Sequence, residues 1–165
     1  IEVIGQEYGD QYTSLVELMR NCHKYVKENE RILYAKIPLH IIHNDFNPRN
    51  MAISSEDQVF IYDWELACLD IPHRDLIELL IFVKKSKNIK RSFEEITKEH
   101  LEIYKSQSNK KISQKDWLEA YKFSFAKFII TRLNFYLLGN KLSRYEFLDH
   151  VIPSVLELNA EEFKL

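Results

Sequence analysis

Between positions 43 and 63 the chain places His43, Asp45, Asn50 and Asp63, four residues whose types and spacing could do chemistry. The stretch joining the last two reads strand, turn, strand: Met51-Ala52-Ile53, Ser54-Ser55-Glu56-Asp57-Gln58, then Val59-Phe60-Ile61-Tyr62. A turn centred between Glu56 and Asp57 sets Met51 opposite Tyr62 and Asn50 opposite Asp63. Cross-strand neighbours hold their Cβ atoms about 4.5–5.5 Å apart, so a side-chain carbonyl and a carboxylate could share one cation. Magnesium suits such a pair, because it takes oxygen ligands and lets waters and substrate phosphates complete its shell. Asp45 precedes Asn50 on a loop held by Pro48. Its carboxylate could there face a metal-bound phosphate and accept a proton from an attacking hydroxyl.

These groups need a scaffold, and the flanking periodicity predicts a helical one. After Gly9-Asp10, the stretch from Gln11 to about Asn29 carries Leu15, Val16, Met19, Cys22 and Val26 at helical spacing. Pro38 ends the next loop, and Leu39-His40-Ile41-Ile42 suits a short buried strand that leads into His43. From Arg74 onward the period is helical over roughly 74–87, 93–107, 114–138 and 143–163, with the last helix broken at Pro153. The expected fold class is α+β, mainly α, with one small β-hairpin carrying the polar residues.

Composition narrows the function classes. The chain has 165 residues, enough for a single domain over 1–165, with 45% apolar and 13% aromatic residues to fill a core. Twenty-five acidic against 23 basic residues leave a net charge of -2, so no general field is available to hold nucleic acid or an anionic membrane. Three glycines and four prolines are too few for a linker, a collagen-like repeat or a turn-rich sandwich. Cys22 and Cys68 lack metal-site spacing, and no apolar run is long enough to span a bilayer. A reducing, cytoplasmic setting is the expectation.

His43-Asn44-Asp45 followed by Asn50, and then an apolar strand ending in Tyr62-Asp63-Trp64-Glu65, resembles the catalytic and metal-binding segments of the protein-kinase-like small-molecule kinases. These include the aminoglycoside phosphotransferases and the choline/ethanolamine kinases. Asn44 in place of Arg and Glu65 in place of Gly point away from protein kinases and toward the choline-kinase-type pattern, and both small-molecule branches stay open. The resemblance implies an ATP- and Mg2+-dependent enzyme that phosphorylates a hydroxyl of a small molecule such as an aminoglycoside or choline. It implies Asp45 as catalytic base, His43 in the catalytic segment as a brace behind the Asp63 turn, and Asn50 and Asp63 as magnesium ligands. Pro72-His73-Arg74-Asp75-Leu76 is similar to the segment in which the Asp, here Asp75, buttresses the catalytic loop.

The resemblance covers about residues 40 to 80. Members of this family have a strand-rich nucleotide lobe with a phosphate-covering loop and a Lys, whereas this chain has 38 residues before Leu39, mostly one helix, and no Gly-x-Gly. The expectation is therefore the C-terminal lobe of a longer kinase, or a chain that borrows its nucleotide lobe. Such a lobe alone should bind ATP weakly and turn over poorly. A non-catalytic kinase-like binding module is the second reading. Asn47 and Arg49 could touch phosphate or simply bond the Pro-containing turn. Glu65 could support the metal or be a solvated carboxylate after a buried Trp64. The basic run Lys84 to Arg91 reads as a solvated face, His73 and Arg74 as a helix start, and most of Trp117, Tyr121, Phe123, Phe125, Phe128, Phe135 and Tyr136 as core.

Overall fold

The computed structural model describes residues 13–84 and 90–165. Gly9-Asp10, the first residues of the expected N-terminal helix and Lys85 to Ile89 of the basic run lie outside them. The described chain is mainly helical with a few short antiparallel strands, the α+β, mainly α class read from the sequence. Helix α1 spans Thr13–Lys36, and the two β pairs are built from β1 His40–Ile42, β2 Met51–Ile53, β3 Val59–Ile61 and β4 Cys68–Asp70. The remainder is helical: α2 His73–Val83, α3 Phe93–Gln107, α4 Gln114–Phe128, a π turn Ile129–Leu133, α5 Asn134–Gly139, α6 Leu148–Leu158 and a π turn Asn159–Phe163.

Helix α1 runs seven residues past the expected end at Asn29, because Leu33 and Ile37 continue its apolar stripe into the core and Ile37 N donates to Leu33 O at 2.9 Å. It packs on α4, which also receives α2, and α2 in turn meets α6. Leu15, Met19 and Cys22 of α1, Ile77 and Ile81 of α2, Trp117, Tyr121 and Phe125 of α4 and Val155 of α6 form one fully buried cluster. Helix α3 begins where Ser92 and Glu95 form a reciprocal capping box, which satisfies two otherwise unpaired N–H groups.

Two of the later helical expectations change as well. The single helix over 114–138 is interrupted by the π turn at 129–133, which inserts a wider turn and re-aims the side chains that follow. The last helix begins at Leu148 and runs through Pro153 unbroken. The carbonyl that loses its partner there belongs to Asp149 in the exposed first turn, where water can replace it.

The strands depart from expectation as well. Strand β1 is mostly exposed, with only Ile42 buried, and it pairs antiparallel with β4, so His40 faces Asp70 and Ile42 faces Cys68. In the hairpin the register is one residue off: Met51 faces Ile61, Ala52 faces Phe60 and Ile53 faces Val59. The turn is centred on Glu56 and not between Glu56 and Asp57. Ser54 N donates to Gln58 O at 2.9 Å, and Asp57 takes the left-handed conformation with φ 57°. Asn50 consequently stands opposite Tyr62, whose N–H donates to Asn50 O at 3.1 Å.

A buried charge cluster ties the β element to the helices. The Asp70 carboxylate accepts from Tyr34 Oη at 2.9 Å, Ile71 N at 2.8 Å, Arg74 Nη1 at 2.6 Å and Lys127 Nζ at 3.2 Å. Burial alone would push the Asp70 carboxyl up, but Arg74 and Lys127 outweigh it and hold the group below its ordinary value. Arg74 thus pairs with an acidic neighbour in the first turn of α2, whereas at the first residue of that helix His73 pairs with none. It is fully buried, wedged at 4.0 Å from Trp117 and 4.6 Å from Tyr121, with both ring nitrogens unpartnered. At the ends of the basic run Lys84 pairs with Glu161 at 2.6 Å and Arg91 with Glu99 at 2.6 Å.

Two outcomes follow for stability. Asp70→Ala should cost about 3–5 kcal/mol in urea unfolding, since it strands buried cationic partners. Burial holds His73 neutral well below the usual imidazole range, with His100 and His40 adding to the effect. The unfolded chain therefore takes up a proton as pH falls through about 6.5 that the folded chain does not, and stability falls with it. His73→Phe should gain roughly 1–2 kcal/mol relative to wild type between pH 7 and pH 5. Urea unfolding of the two proteins compared at each pH cancels opposing contributions such as that of Glu78.

Candidate active site

The chain from Ile42 to Asn50 is short of regular structure, so its polar groups must be satisfied by side chains. Asp75, in the first turn of α2, does most of this. Its carboxylate accepts from His43 N at 2.7 Å and from Asn44 N at 2.9 Å. Asn44 sits at φ 62° and donates through Nδ2 to Leu66 O at 3.1 Å. Burial raises the Asp75 carboxyl above its ordinary value in spite of these bonds.

His43 is buried and bonds backbone on both sides. Nε2 donates to Tyr62 O at 2.8 Å, and Nδ1 accepts from Asp45 N at 3.3 Å, an assignment consistent with one neutral tautomer. The ring therefore spans from the loop to the residue before Asp63. Trp64 lies against it with centroids 4.7 Å apart and is half exposed, not buried as the sequence suggested.

Asn47 is fully buried and spends its amide on the turn. Its Oδ1 accepts from Arg49 N and Arg49 Nε, each at 3.1 Å, and its Nδ2 donates to Asp45 O at 3.2 Å and Asp45 Oδ1 at 3.1 Å. Of the two readings left open for it, turn bonding is the one these contacts describe. Pro48 opens the 3-10 turn Pro48–Asn50, where its missing N–H costs nothing. That turn brings Asn50 back onto Asp45: Nδ2 donates to Asp45 O at 2.9 Å and to Oδ2 at 2.8 Å. With both protons used there, the Asn50 amide oxygen is the atom left to face a cation.

Asp63 is not the cross-strand neighbour of Asn50 that the expected register required. It leaves the ladder in the left-handed conformation, φ 66° and ψ 55°, and caps the 3-10 turn Trp64–Leu66 with its backbone, while its exposed carboxylate makes no capping bond. Glu65 is exposed in that turn. The structure thus joins His43, Asp45, Asn47, Asn50 and Asp75 by direct hydrogen bonds, and it holds Asp63 one residue beyond the partner of Asn50. Asn50 and Asp63 present the hard oxygen donors that Mg2+ takes, and such an ion needs only one or two carboxylates from a protein. Among the described residues no group of three or more His, Cys, Asp or Glu could hold a metal by itself.

Three further residues complete the site and were not read from the sequence as part of it. Arg132, in the π turn, donates through Nη2 to Asp45 Oδ1 and to Tyr136 Oη, the latter at 3.0 Å. The Tyr136 hydroxyl lies 3.2 Å from Asp45 Oδ1 and 3.1 Å from Glu78 Oε1, and Arg132 Nη2 is 3.8 Å from the same Glu78 oxygen. Burial tends to raise Asp45, but Arg132 and the bonds from Asn50 and Tyr136 prevail and keep it ionised below its ordinary value. Glu78, more deeply buried, is pushed up to about 7 despite Arg132, helped by the nearby Asp45 charge. The signal that could have found them is an arginine inside the apolar run Ile129 to Leu138 with a tyrosine four residues later on the same helix face.

Beside this network Arg49, Tyr136, Arg144, Tyr145 and Phe147 line an open groove of about 510 Å³. The Arg49 guanidinium lies over the rings of Phe147, at 4.5 Å, and Phe82, at 5.3 Å. No helix among the described residues is long and apolar enough to cross a membrane.

The family model that matches the chain is that of the phosphotransferase enzyme family, APH, over residues 5–97. No curated protein and no solved structure matches. The matched span takes in the loop from His43 to Asn50, the hairpin, Asp63 and the Asp75 and Glu78 positions of α2, and it is more than half of the chain. With that match, the chain belongs to the phosphotransferase enzyme family.

Proposed function

We propose that this protein transfers the γ-phosphoryl group of ATP to a hydroxyl of a small molecule with the help of Mg2+. The observation that carries the reading is the direct contact of Asn50 with the Asp45 carboxylate, on a loop whose first backbone N–H groups are held by Asp75 and whose His43 ring bonds Tyr62 O beside the Asp63 turn. Asp45 is the group that orients the acceptor hydroxyl and takes its proton as the oxygen bonds to the γ-phosphorus and the bond to the β-phosphate oxygen breaks. Its depressed pKa keeps it ionised at neutral pH, and a loose phosphoryl-transfer transition state asks for positioning more than for a strong base. The Asn50 amide oxygen and the Asp63 carboxylate would hold Mg2+, which supplies charge neutralisation at the transferring phosphate. His43, Asn47 and Asp75 position these groups.

The same reading makes the chain a kinase-like C-terminal lobe. The exposed apolar residues of the two β pairs, Ile41, Ile53, Val59, Phe60 and Leu69, are surface that a strand-rich nucleotide lobe, in the same protein or a separate one, would cover. Aminoglycosides and choline-like alcohols are the acceptors that the family resemblance brings forward.

In the natural protein Asp45→Asn should lower turnover by orders of magnitude with nucleotide affinity largely kept, and Asp63→Ala should abolish Mg2+-dependent nucleotide binding. Calorimetry with Mg2+ and ATP, together with release of ADP in the presence of alcohol acceptors, reads both. Full activity in the two variants excludes the mechanism, and a wild-type protein silent in both measurements leaves the non-catalytic binding module.

A further inference from the structure

The groove next to Asp45 carries an arrangement that the phosphotransfer reading alone does not use. Arg49 lies in the Pro48–Asn50 turn that brings Asn50 onto Asp45, and Asn47 Oδ1 accepts from its Nε at 3.1 Å. With that bond at one end and the rings of Phe147 and Phe82 under its plane, the guanidinium is held in one orientation while the residue stays exposed at the groove. Its terminal N–H groups have no carboxylate among the described residues. The nearby Asp45 charge is already taken by Arg132, and the other arginine of the groove, Arg144, is 3.1 Å from Asp149. Glu146, exposed, is the one acidic lining residue. A planar fork fixed in place and left without an anion is a receptor for carboxylate or phosphate oxygens, since little side-chain entropy remains to be lost on binding. Tyr145, partly exposed, lines the same space together with the largely buried Tyr136 and gives it an aromatic wall.

We propose that Arg49 receives an anionic oxygen group of the acceptor, a carboxylate or a phosphate, so that the acceptor is a hydroxyl compound carrying its own anion beside a flat framework and not a polycation. The inference rests on the phosphotransfer reading and gives its acceptor a chemical class. A cationic acceptor would have to approach the held guanidinium with Glu146 alone to offset the repulsion.

The test uses alcohols that differ only opposite the hydroxymethyl group: 4-(hydroxymethyl)benzoate, 4-(hydroxymethyl)phenyl phosphate, 4-(hydroxymethyl)benzamide and the 4-(hydroxymethyl)phenyl trimethylammonium ion. Equilibrium binding to the full chain is measured by titration without nucleotide, for wild type, Arg49→Gln and Arg49→Lys, with thermal melting to confirm that each variant is folded. At least one of the two anions should bind about tenfold tighter than the amide. That preference should vanish in Arg49→Gln and be reduced in Arg49→Lys, which keeps the charge without the fork. The stronger of the two anions tells carboxylate from phosphate. Equal binding of all four probes, tightest binding of the cation, no binding of any, or an anion preference that survives Arg49→Gln overturns the inference. Phosphate transfer from ATP to the probes is scored separately. An Arg49-dependent anion preference in a natural protein that neither binds Mg2+ and ATP nor releases ADP with any alcohol acceptor would retain the recognition and remove the phosphotransfer reading, and transfer without that preference would do the reverse.

Discussion

One carboxylate holds the loop on which everything else at the site depends. Asp75 takes two successive backbone N–H groups, those of His43 and Asn44, at the point where strand β1 ends and no strand partner remains for them. A buried N–H left unpaired costs on the order of 1–3 kcal/mol, so this grip fixes the direction in which the chain leaves the strand. Asp45 and Asn50 inherit that direction. The His43 ring then carries it across to Tyr62, and so to the turn that presents Asp63. The polar side chains of the loop are used mainly to hold one another, which is how a segment without regular structure keeps a defined shape.

The electrostatics follow from burial. Asp45 and Glu78 are two acids that share one guanidinium and one phenol hydroxyl, yet they shift in opposite directions from their ordinary values, Glu78 up because it is deeper and Asp45 down because it has more donors. Arg132 belongs to helical structure remote in sequence from the loop, and the π turn is what brings it to the Asp45 carboxylate. The network thereby joins the β element to the helical body at a second point, beyond the Asp70 cluster that ties α1, α2 and α4 to β4.

Around these tethers the molecule is uneven. The helical side has a continuous aromatic and aliphatic core in which even His73 is packed as though it were apolar, while the two small β pairs turn apolar residues outward. Two strands alone make too small a sheet to bury much apolar surface, and Ile53, Val59 and Phe60 of the hairpin stay exposed. The groove beside Asp45 lies on the helical side of the site, where Arg49 is aligned by the same Asn47 that orients Asp45. Whatever enters the groove meets the loop's own geometry.

Much of this was legible in the amino-acid order. The helical period predicted α3 to its end residues and placed Trp117, Tyr121, Phe123, Phe125 and Phe128 in the core, because an apolar stripe must be buried wherever it packs. The strand, turn, strand pattern between Asn50 and Asp63 was also local and readable. Its register was not, because the polar turn from Ser54 to Gln58 does not itself say where the hairpin is centred, and the observed turn, with Asp57 in the left-handed conformation, shifts the pairing by one residue. The pairing of β1 with β4 and the arrival of Arg132, Tyr136 and Glu78 at Asp45 lay beyond reach for a deeper reason. They join segments tens of residues apart, and only the packing of α2 and α4 decides which side chains meet. Local spacing determined which residues could do chemistry. Tertiary packing decided their charge, because burial and distant partners set it.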